Sequence, residues 1–448
     1  MTWGYSRDNL EFLLPWAVLT GLCLFLYRRR GEKICLLLPP AMAAAVAVLK
    51  VWLHTRDVQD GVGPFFLLIL SLLHLVIAMV LDARATSFAS KAAGLAGLVL
   101  NGFAYFTDNL FVFSLFWVLS VIPMLAIFRG GHVHARRVFL AHHLLSLAAL
   151  GGALGLLQWI APGFSDVTQV RSLPQGPPTL AVALLLLVAC LIRQAMFPFH
   201  LWFKAAYKTR PFPLSLGFYA GNLGFILFSK LALPLLTREA SDLFPYAMAC
   251  GVFSALYFAN MSLVQSRLRS TVFYVMLSQY AMLYCGLESL TEFGRTGVLF
   301  QFLTVGCCFT GLLAILYLLE WQVGELRSGR FHGLQAANPQ LSIVFLLFAL
   351  AGMALPATMG FAGEDMIFHA VIERHPVVGL GLIIAAAING ISLFRVVCFL
   401  FRGKREDVLD PAVDLTRWQK AALGMILAVL FFFGLYPSWL VQQVHTYV

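Results

Sequence analysis

Two charged side chains stand inside long apolar runs, each within eight residues of a proline. Glu364 falls near the end of Leu355-Pro356-Ala357-Thr358-Met359-Gly360-Phe361-Ala362-Gly363-Glu364-Asp365, and Arg193 precedes Gln194-Ala195-Met196-Phe197-Pro198-Phe199-His200-Leu201-Trp202. A carboxyl group in apolar, partly wet surroundings can load and release a proton near neutral pH, so Glu364 is a candidate for handling protons or cations. Asp365 points about 100° further round a helix and need not share that site. Its expected place is the N-terminus of a second half-helix, where partial positive charge favours a carboxylate. Arginine effectively never gives up its proton, so Arg193 can serve as a fixed charge holding a carboxylate or an anion, but not as a relay. His200, just past the second proline, has a ring suited to proton exchange, with hydrogen-bonded packing as the plainer alternative. Lys230 and Asn222 are eight residues apart and lie near one helix face. Lys230 is expected either to be buried there or to snorkel outward.

Other clusters are less specific. His132, His134, His142 and His143 invite a metal reading, but no carboxylate or thiol completes the set, and no metal site is expected. The eight cysteines lie in apolar runs without a CxxC pair, so neither a disulfide framework nor an iron–sulfur site is expected. No phosphate loop, catalytic triad or cofactor motif occurs, so no cofactor is expected and whether the chain is itself an enzyme is left open. Lys204, Lys208 and Arg210 read as an interfacial basic loop. Lys50 and His54 fall at the outer end of a span, and Arg395 is expected to snorkel inward.

The elements that must hold these residues follow from composition. Of 448 residues 60% are apolar and only 12% charged, and the chain carries 39 Phe. Mean hydropathy is +0.84. A soluble fold of this size could not bury so much apolar surface. Soluble enzymes, nucleic-acid modules and disordered chains are excluded, as is a β-barrel, whose strands would alternate. What remains is an all-α polytopic membrane protein.

Apolar runs predict about fourteen spans. They fall near Phe12–Tyr27, Ile34–Leu53, Pro64–Leu81, Ala92–Phe106, Leu110–Phe128, Val138–Ile160, Thr179–Phe197, Pro213–Leu236, Phe244–Val264, Thr271–Leu287, Gly297–Leu319, Leu341–Ala362, Val377–Phe401 and Ala421–Leu440. The net charge of +10 belongs to the loops between them. Of the 31 Lys and Arg, four (Lys50, Arg193, Lys230, Arg395) lie inside spans and six (Arg7, Arg56, Arg171, Arg238, Arg295, Arg374) in one set of alternate loops. The other 21 fall in the opposite set, which is therefore cytoplasmic. The expectation is a multi-pass protein of the cytoplasmic (inner) membrane with both termini on the non-cytoplasmic side and no cleavable signal peptide. In a bilayer Arg193 also has a bland reading, satisfied by carbonyls freed at the break and by lipid headgroups.

The seventh and twelfth spans are expected to be broken, near Pro198 and between Pro356 and Gly363. Paired broken helices five spans apart point to a transporter built from repeats. At these breaks the residues resemble a known family. Phe197-Pro198-Phe199-His200-Leu201-Trp202 is similar to the Pro-x-His-x-Trp signature of the antiporter-like subunits of respiratory complex I, and Phe361-Ala362-Gly363-Glu364 to the Phe-x-Gly-Glu of their twelfth helix. Leu277-Ser278-Gln279-Tyr280, Gly297-Val298-Leu299-Phe300-Gln301 and Leu435-Tyr436-Pro437 resemble further stretches of it. The family includes Mrp-type cation/proton antiporter subunits, membrane-bound hydrogenase subunits and the membrane partner of inorganic-carbon accumulating (DAB-type) complexes.

The resemblance runs from about Asp108 to Pro437 and implies two inverted five-helix repeats, spans four to eight and nine to thirteen. The resulting division is 1–107 for the N-terminal spans, 108–236 and 237–402 for the repeat cores, and 403–448 for the last loop and span. The chain departs from the family pattern at several proton-path positions. The usual fifth-span Glu is Val118 after Trp117, the seventh-span Lys is Arg193, the eighth-span Lys is Asn222, and eleventh-span His or Lys positions hold Val305 and Phe309.

The leading expectation is a proton- or cation-translocating, energy-coupling subunit of a larger membrane complex, either redox-driven or of the DAB type. Its half-channels would meet near Glu364 and Arg193. Its partners would be other membrane subunits, among them a large cytoplasmic-side catalytic subunit, the lipid bilayer, and protons or cations, but no nucleic acid. Any redox chemistry would belong to a partner. The competing expectations are a non-conducting scaffold that anchors a catalytic subunit and, ranked lowest, a stand-alone antiporter.

Overall fold

The computed structural model describes residues 7–30, 36–45, 63–80, 88–125, 128, 133–207, 222–239, 244–404, 414–438 and 441–442. These residues are helical nearly throughout, with no strand among them. The helices are α1 (Arg7–Arg30), α2 (Leu36–Ala45), α3 (Gly63–Val80), α4 (Phe88–Tyr105), α5 (Leu110–Leu119), α6 (Val121–Leu125), α7 (Val133–Ile160), α8 (Pro177–Arg193), α9 (Leu201–Tyr207) and α10 (222–227). A π-helical turn, Phe228–Ala232, leads into α11 (Leu233–Glu239). Then follow α12 (Phe244–Leu263), α13 (Leu268–Glu288), α14 (Glu292–Val323), α15 (Pro339–Gly352), α16 (Met359–Arg374), α17 (Pro376–Phe401) and α18 (Arg417–Leu435). Among the described residues five helices (α7, α12, α14, α17 and α18) are long and apolar enough to cross a membrane unaided. The chain is a multi-pass helical membrane protein. Lys50, His54, His132, Lys208 and Arg210 lie outside the described residues.

The chain divides into two compact units: Met1–Ala78 with Asp82–Tyr246, and Met79–Leu81 with Ala247–Val448. In the second, α13 and α14 are buried on every face. A helix that is apolar all round belongs in the interior, and these two form the centre against which α15, α16 and α17 pack, with α13 also hydrogen-bonded to α12 through Ser278 and the Ala255 carbonyl.

Local geometry repeats between the units. In the first, the start of α5 pairs with the loop after α7, through Leu110 N to Ser165 O at 2.7 Å and Val167 N to Asp108 O at 2.9 Å. In the second, the start of α13 pairs in the same way with the loop after α14, through Leu268 N to Leu326 O at 3.0 Å and Ser328 N to Ser266 O at 2.8 Å.

The breaks repeat as well. After α8, Gln194 N, Ala195 N and Met196 N donate to the carbonyls of Cys190, Ile192 and Leu191 at 2.9, 3.1 and 3.0 Å, and Ala195 turns left-handed with φ 56°. After α15, Met353 N, Ala354 N and Leu355 N donate to Ala349, Ala351 and Leu350 at 2.9, 3.2 and 3.1 Å, with Ala354 at φ 54°. Each break thus supplies N–H donors to carbonyls at the C-terminal end of its helix. An alanine in the left-handed region costs about 1–2 kcal/mol, which the closed hydrogen bonds offset. The Trp202 indole donates to the Ile192 carbonyl at 2.7 Å, giving a second donor to an acceptor that the break has freed.

The first break lies where the sequence placed it. The second begins earlier than expected, over 353–358, and Gly360 and Gly363 lie within α16 rather than in the interruption. Pro356 prevents continuation of the helix, whereas the two glycines serve packing.

Candidate ion-handling site

In the second unit, Glu364 is 6% exposed and sits on the second turn of α16. Its Oε1 accepts from Gln279 Nε2 on α13 at 2.8 Å and from Gln301 Nε2 on α14 at 3.2 Å. Gln301 Nε2 also reaches Gln279 Oε1 at 2.5 Å. Three helices therefore converge on one carboxyl group, and both amides present N–H to it. Hydrogen bonds to a charged acceptor contribute about 1.5–3 kcal/mol each. The arrangement holds the carboxyl group in place in either protonation state, because its oxygen remains an acceptor in both.

Glycines make this convergence possible. A Cβ on Gly363 would lie 2.7 Å from Gln301 N and 3.1 Å from Gln301 Cα, and one on Gly297 would lie 3.0 Å from Gly363 O. The backbones of α14 and α16 thus touch without intervening side chains, as small residues allow in membrane helices. Gln301 and Glu364 meet because of that approach.

Further polar residues of this unit escaped the sequence reading of site residues. Asn389 Nδ2 donates to Ser278 Oγ at 2.9 Å, and Ser278 Oγ donates to the Ala255 carbonyl at 2.8 Å. Ser262 and Ser392 hydroxyls lie 2.6 Å apart. Arg395 Nη1 donates to the Leu263 carbonyl at 3.0 Å, and its guanidinium lies over the Phe399 ring. Asn389, Ser392 and Arg395 recur every third residue of α17 and so form one polar stripe, which that spacing would have shown. Arg269 and Glu320 form an almost fully buried pair at 3.5 Å.

In the first unit, Arg193 is the last residue of α8 and is 1% exposed. Its Nη2 donates to the Ser120 hydroxyl, and its guanidinium carbon lies 5.1 Å from the centroid of the Trp117 ring. Ser120 lies between α5 and α6 in helical conformation, its N–H donating to the Phe116 carbonyl at 2.9 Å. His143, on α7, lies within electrostatic reach of Arg193. Its Nδ1 is 3.0 Å from the Phe139 carbonyl, and its ring packs between Phe139 and Trp202. His142 Nδ1 is likewise bound to a backbone carbonyl, that of Val138 at 2.8 Å.

The remaining candidates are dispersed. His200 is buried, bonded to the Pro198 backbone and stacked near Phe197. Lys230 is neither in a buried path with Asn222 nor free: its Nζ pairs with Asp108 at 2.8 Å, both side chains part-exposed. Lys230 itself lies in the π-turn Phe228–Ala232. Asn222 is fully buried, and its side-chain amide has no partner among the described residues. Asp365 does not cap α16. The cap position is Thr358, and Asp365 is half-exposed, 3.5 Å from His369 Nδ1 on the next turn.

A buried carboxyl group on a broken helix, set in bilayer-length helices with a duplicated local geometry, defines an antiporter-like polytopic membrane subunit. Residues 65–389 match the family NADH:quinone oxidoreductase/Mrp antiporter, TM, and the chain belongs to it. It is similar to NADH-quinone oxidoreductase subunit M of Rickettsia typhi, 24% identical over 420 residues that cover 88% of this chain and 82% of that protein. It is also similar to F(420)H(2) dehydrogenase subunit M of Methanosarcina mazei, 26% identical over 346 residues, 73% of this chain and 69% of that one. Its fold is shared by a chain of respiratory complex I from Thermus thermophilus, with TM-score 0.81, 21% identity and coverage of 98% and 97%. A chain of the Mrp complex from Dietzia sp. DQ12-45-1b shares it too, with TM-score 0.85, 16% identity and coverage of 99% and 97%.

Proposed function

We propose that this chain is the proton- or cation-translocating, energy-coupling subunit of a multi-subunit membrane complex. The observation that carries this reading is Glu364, a buried carboxyl group held by two glutamines from two other helices. Intramembrane ionisable groups mark ion routes by default. The relatives named as subunits M of an NADH-quinone oxidoreductase and an F(420)H(2) dehydrogenase favour a redox-driven assembly, with the DAB-type assembly as the alternative. The test is proton uptake into inverted membrane vesicles from a strain lacking the chain, with and without the wild-type protein restored. Chain-dependent uptake supports the reading. Co-purification then separates the assemblies, redox subunits marking one and a large soluble zinc protein the other.

One observation favours the scaffold reading. The α14 face that carries Gln301 continues through Val305 and Phe309, both buried and apolar. Assembly of the complex without any chain-dependent uptake would establish it.

We further propose the inner membrane as location, with both termini on the non-cytoplasmic side and the four-part division at 107, 236 and 402. The loop charges support the sidedness. Reporter fusions after Val448 and within the loop at 129–137 are expected to report opposite sides, the first periplasmic and the second cytoplasmic. A cytoplasmic signal after Val448 would refute the assignment.

A further inference from the structure

The first unit holds a permanent positive charge that its described residues do not neutralise. Arg193 is 1% exposed, its Nε and Nη1 have no hydrogen-bond partner among the described residues, and its contacts there are the neutral Ser120 hydroxyl and the face of Trp117. Among the described residues no carboxylate lies within ion-pairing distance of it. Two of this unit's carboxylates are engaged elsewhere. Asp108 pairs with Lys230, and Glu239 pairs with Arg238 and accepts from Gly176 N. A lysine in such a place could shed its charge, but arginine cannot. A buried, unpaired charge is among the most costly groups a fold can hold. Among the described residues the Trp117 indole Nε1, on the ring beneath the guanidinium, is also buried without a partner, so N–H donors predominate among the unsatisfied atoms here, beside the acceptor Nε2 of His143.

We infer that Arg193, with the Trp117 indole N–H, forms a binding site for a small monovalent anion of the chloride or bicarbonate kind. Three features set that class. The charge to be balanced is single. The donors come from α5 and α8, with the Arg193 guanidinium carbon 5.1 Å from the centroid of the Trp117 ring and His143, packed on Trp202, within electrostatic reach. The site also lies at a broken helix end, where a small ligand can enter without disturbing a continuous hydrogen-bond ladder. This inference does not depend on proton conduction, since its readout is binding.

The experiment is thermal unfolding of the purified full chain in detergent, at constant pH, sodium concentration and ionic strength. Gluconate is replaced stepwise by chloride in one arm and by bicarbonate in the other. The wild-type protein is expected to show a saturable rise in unfolding temperature of a few degrees in at least one arm. Arg193→Met should remove the response. Arg193→Lys should keep it with several-fold weaker half-saturation, because the charge persists while the guanidinium geometry is lost. Trp117→Phe keeps the ring under the guanidinium but deletes the N–H, and is expected to weaken half-saturation several-fold. If Arg193→Met does not fold, the Lys and Phe variants decide. Equal unfolding temperatures in gluconate, chloride and bicarbonate would overturn the site. So would an anion response unchanged in Arg193→Met, or in both Arg193→Lys and Trp117→Phe. A wild-type response that persists in a transport-dead Glu364→Gln protein supports the site and separates it from the conduction reading.

Discussion

Glu364→Gln is expected to leave the chain folded and inserted at wild-type levels and to abolish complex-dependent proton transport. The side-chain oxygen of glutamine can accept the same N–H groups from Gln279 and Gln301, which lie 2.8 and 3.2 Å from Oε1 in the native protein. Volume is conserved, so no cavity forms and the α13–α14–α16 packing survives. What is lost is the capacity to bind and release a proton, which an amide lacks at any accessible pH. The measurement is the initial rate of proton uptake in inverted vesicles, normalised to the amount of this chain in the membrane. Uptake at the wild-type rate would remove Glu364 from the ion path and leave the scaffold reading in its place.

Gly363→Ala should damage the same site by a different route. The added Cβ would stand 2.7 Å from Gln301 N, a backbone atom that cannot rotate away. Helices α14 and α16 would have to separate, at a cost of about 1–3 kcal/mol for overpacking, and Gln301 would be drawn off Glu364. The expected result is a lower unfolding temperature in detergent together with reduced transport, and Gly363→Val should be worse in both. Gly390→Ala is the control of opposite sign. It lies in the interior of α17 with no neighbour within 4 Å of its would-be Cβ, so alanine should stabilise by about 0.5–1 kcal/mol. If Gly363→Ala unfolds like the wild type, the close backbone approach is not what holds the site.

The membrane class, the helical content and the first break were all legible in the sequence, because each depends on composition or on one residue. Apolar runs of bilayer length leave no other fold, since backbone groups in hydrocarbon must pair within their own helix. Pro198 interrupts wherever it stands in a helix. Glu364 stood out for the same reason, as a lone charge in an apolar context.

Its partners did not stand out. Gln279 and Gln301 lay within stretches that resembled the family, yet nothing local marks a glutamine as facing a carboxyl group on a third helix. The reading of Gly360 and Gly363 as helix breakers failed because glycine serves both to break a helix and to let another backbone approach, and only the position of α14 decides between them. Asp365 was assigned to a cap because the break was placed several residues too late, which shifted its position along α16 by more than a turn. The pairing of Lys230 with Asp108 was not legible either, because the two lie 122 residues apart in the chain. Residue type thus determined which groups are costly in a bilayer. The packing of separate helices decided which groups meet, because contact between residues distant in the chain depends on backbone approach and register, and neither is written at any single position.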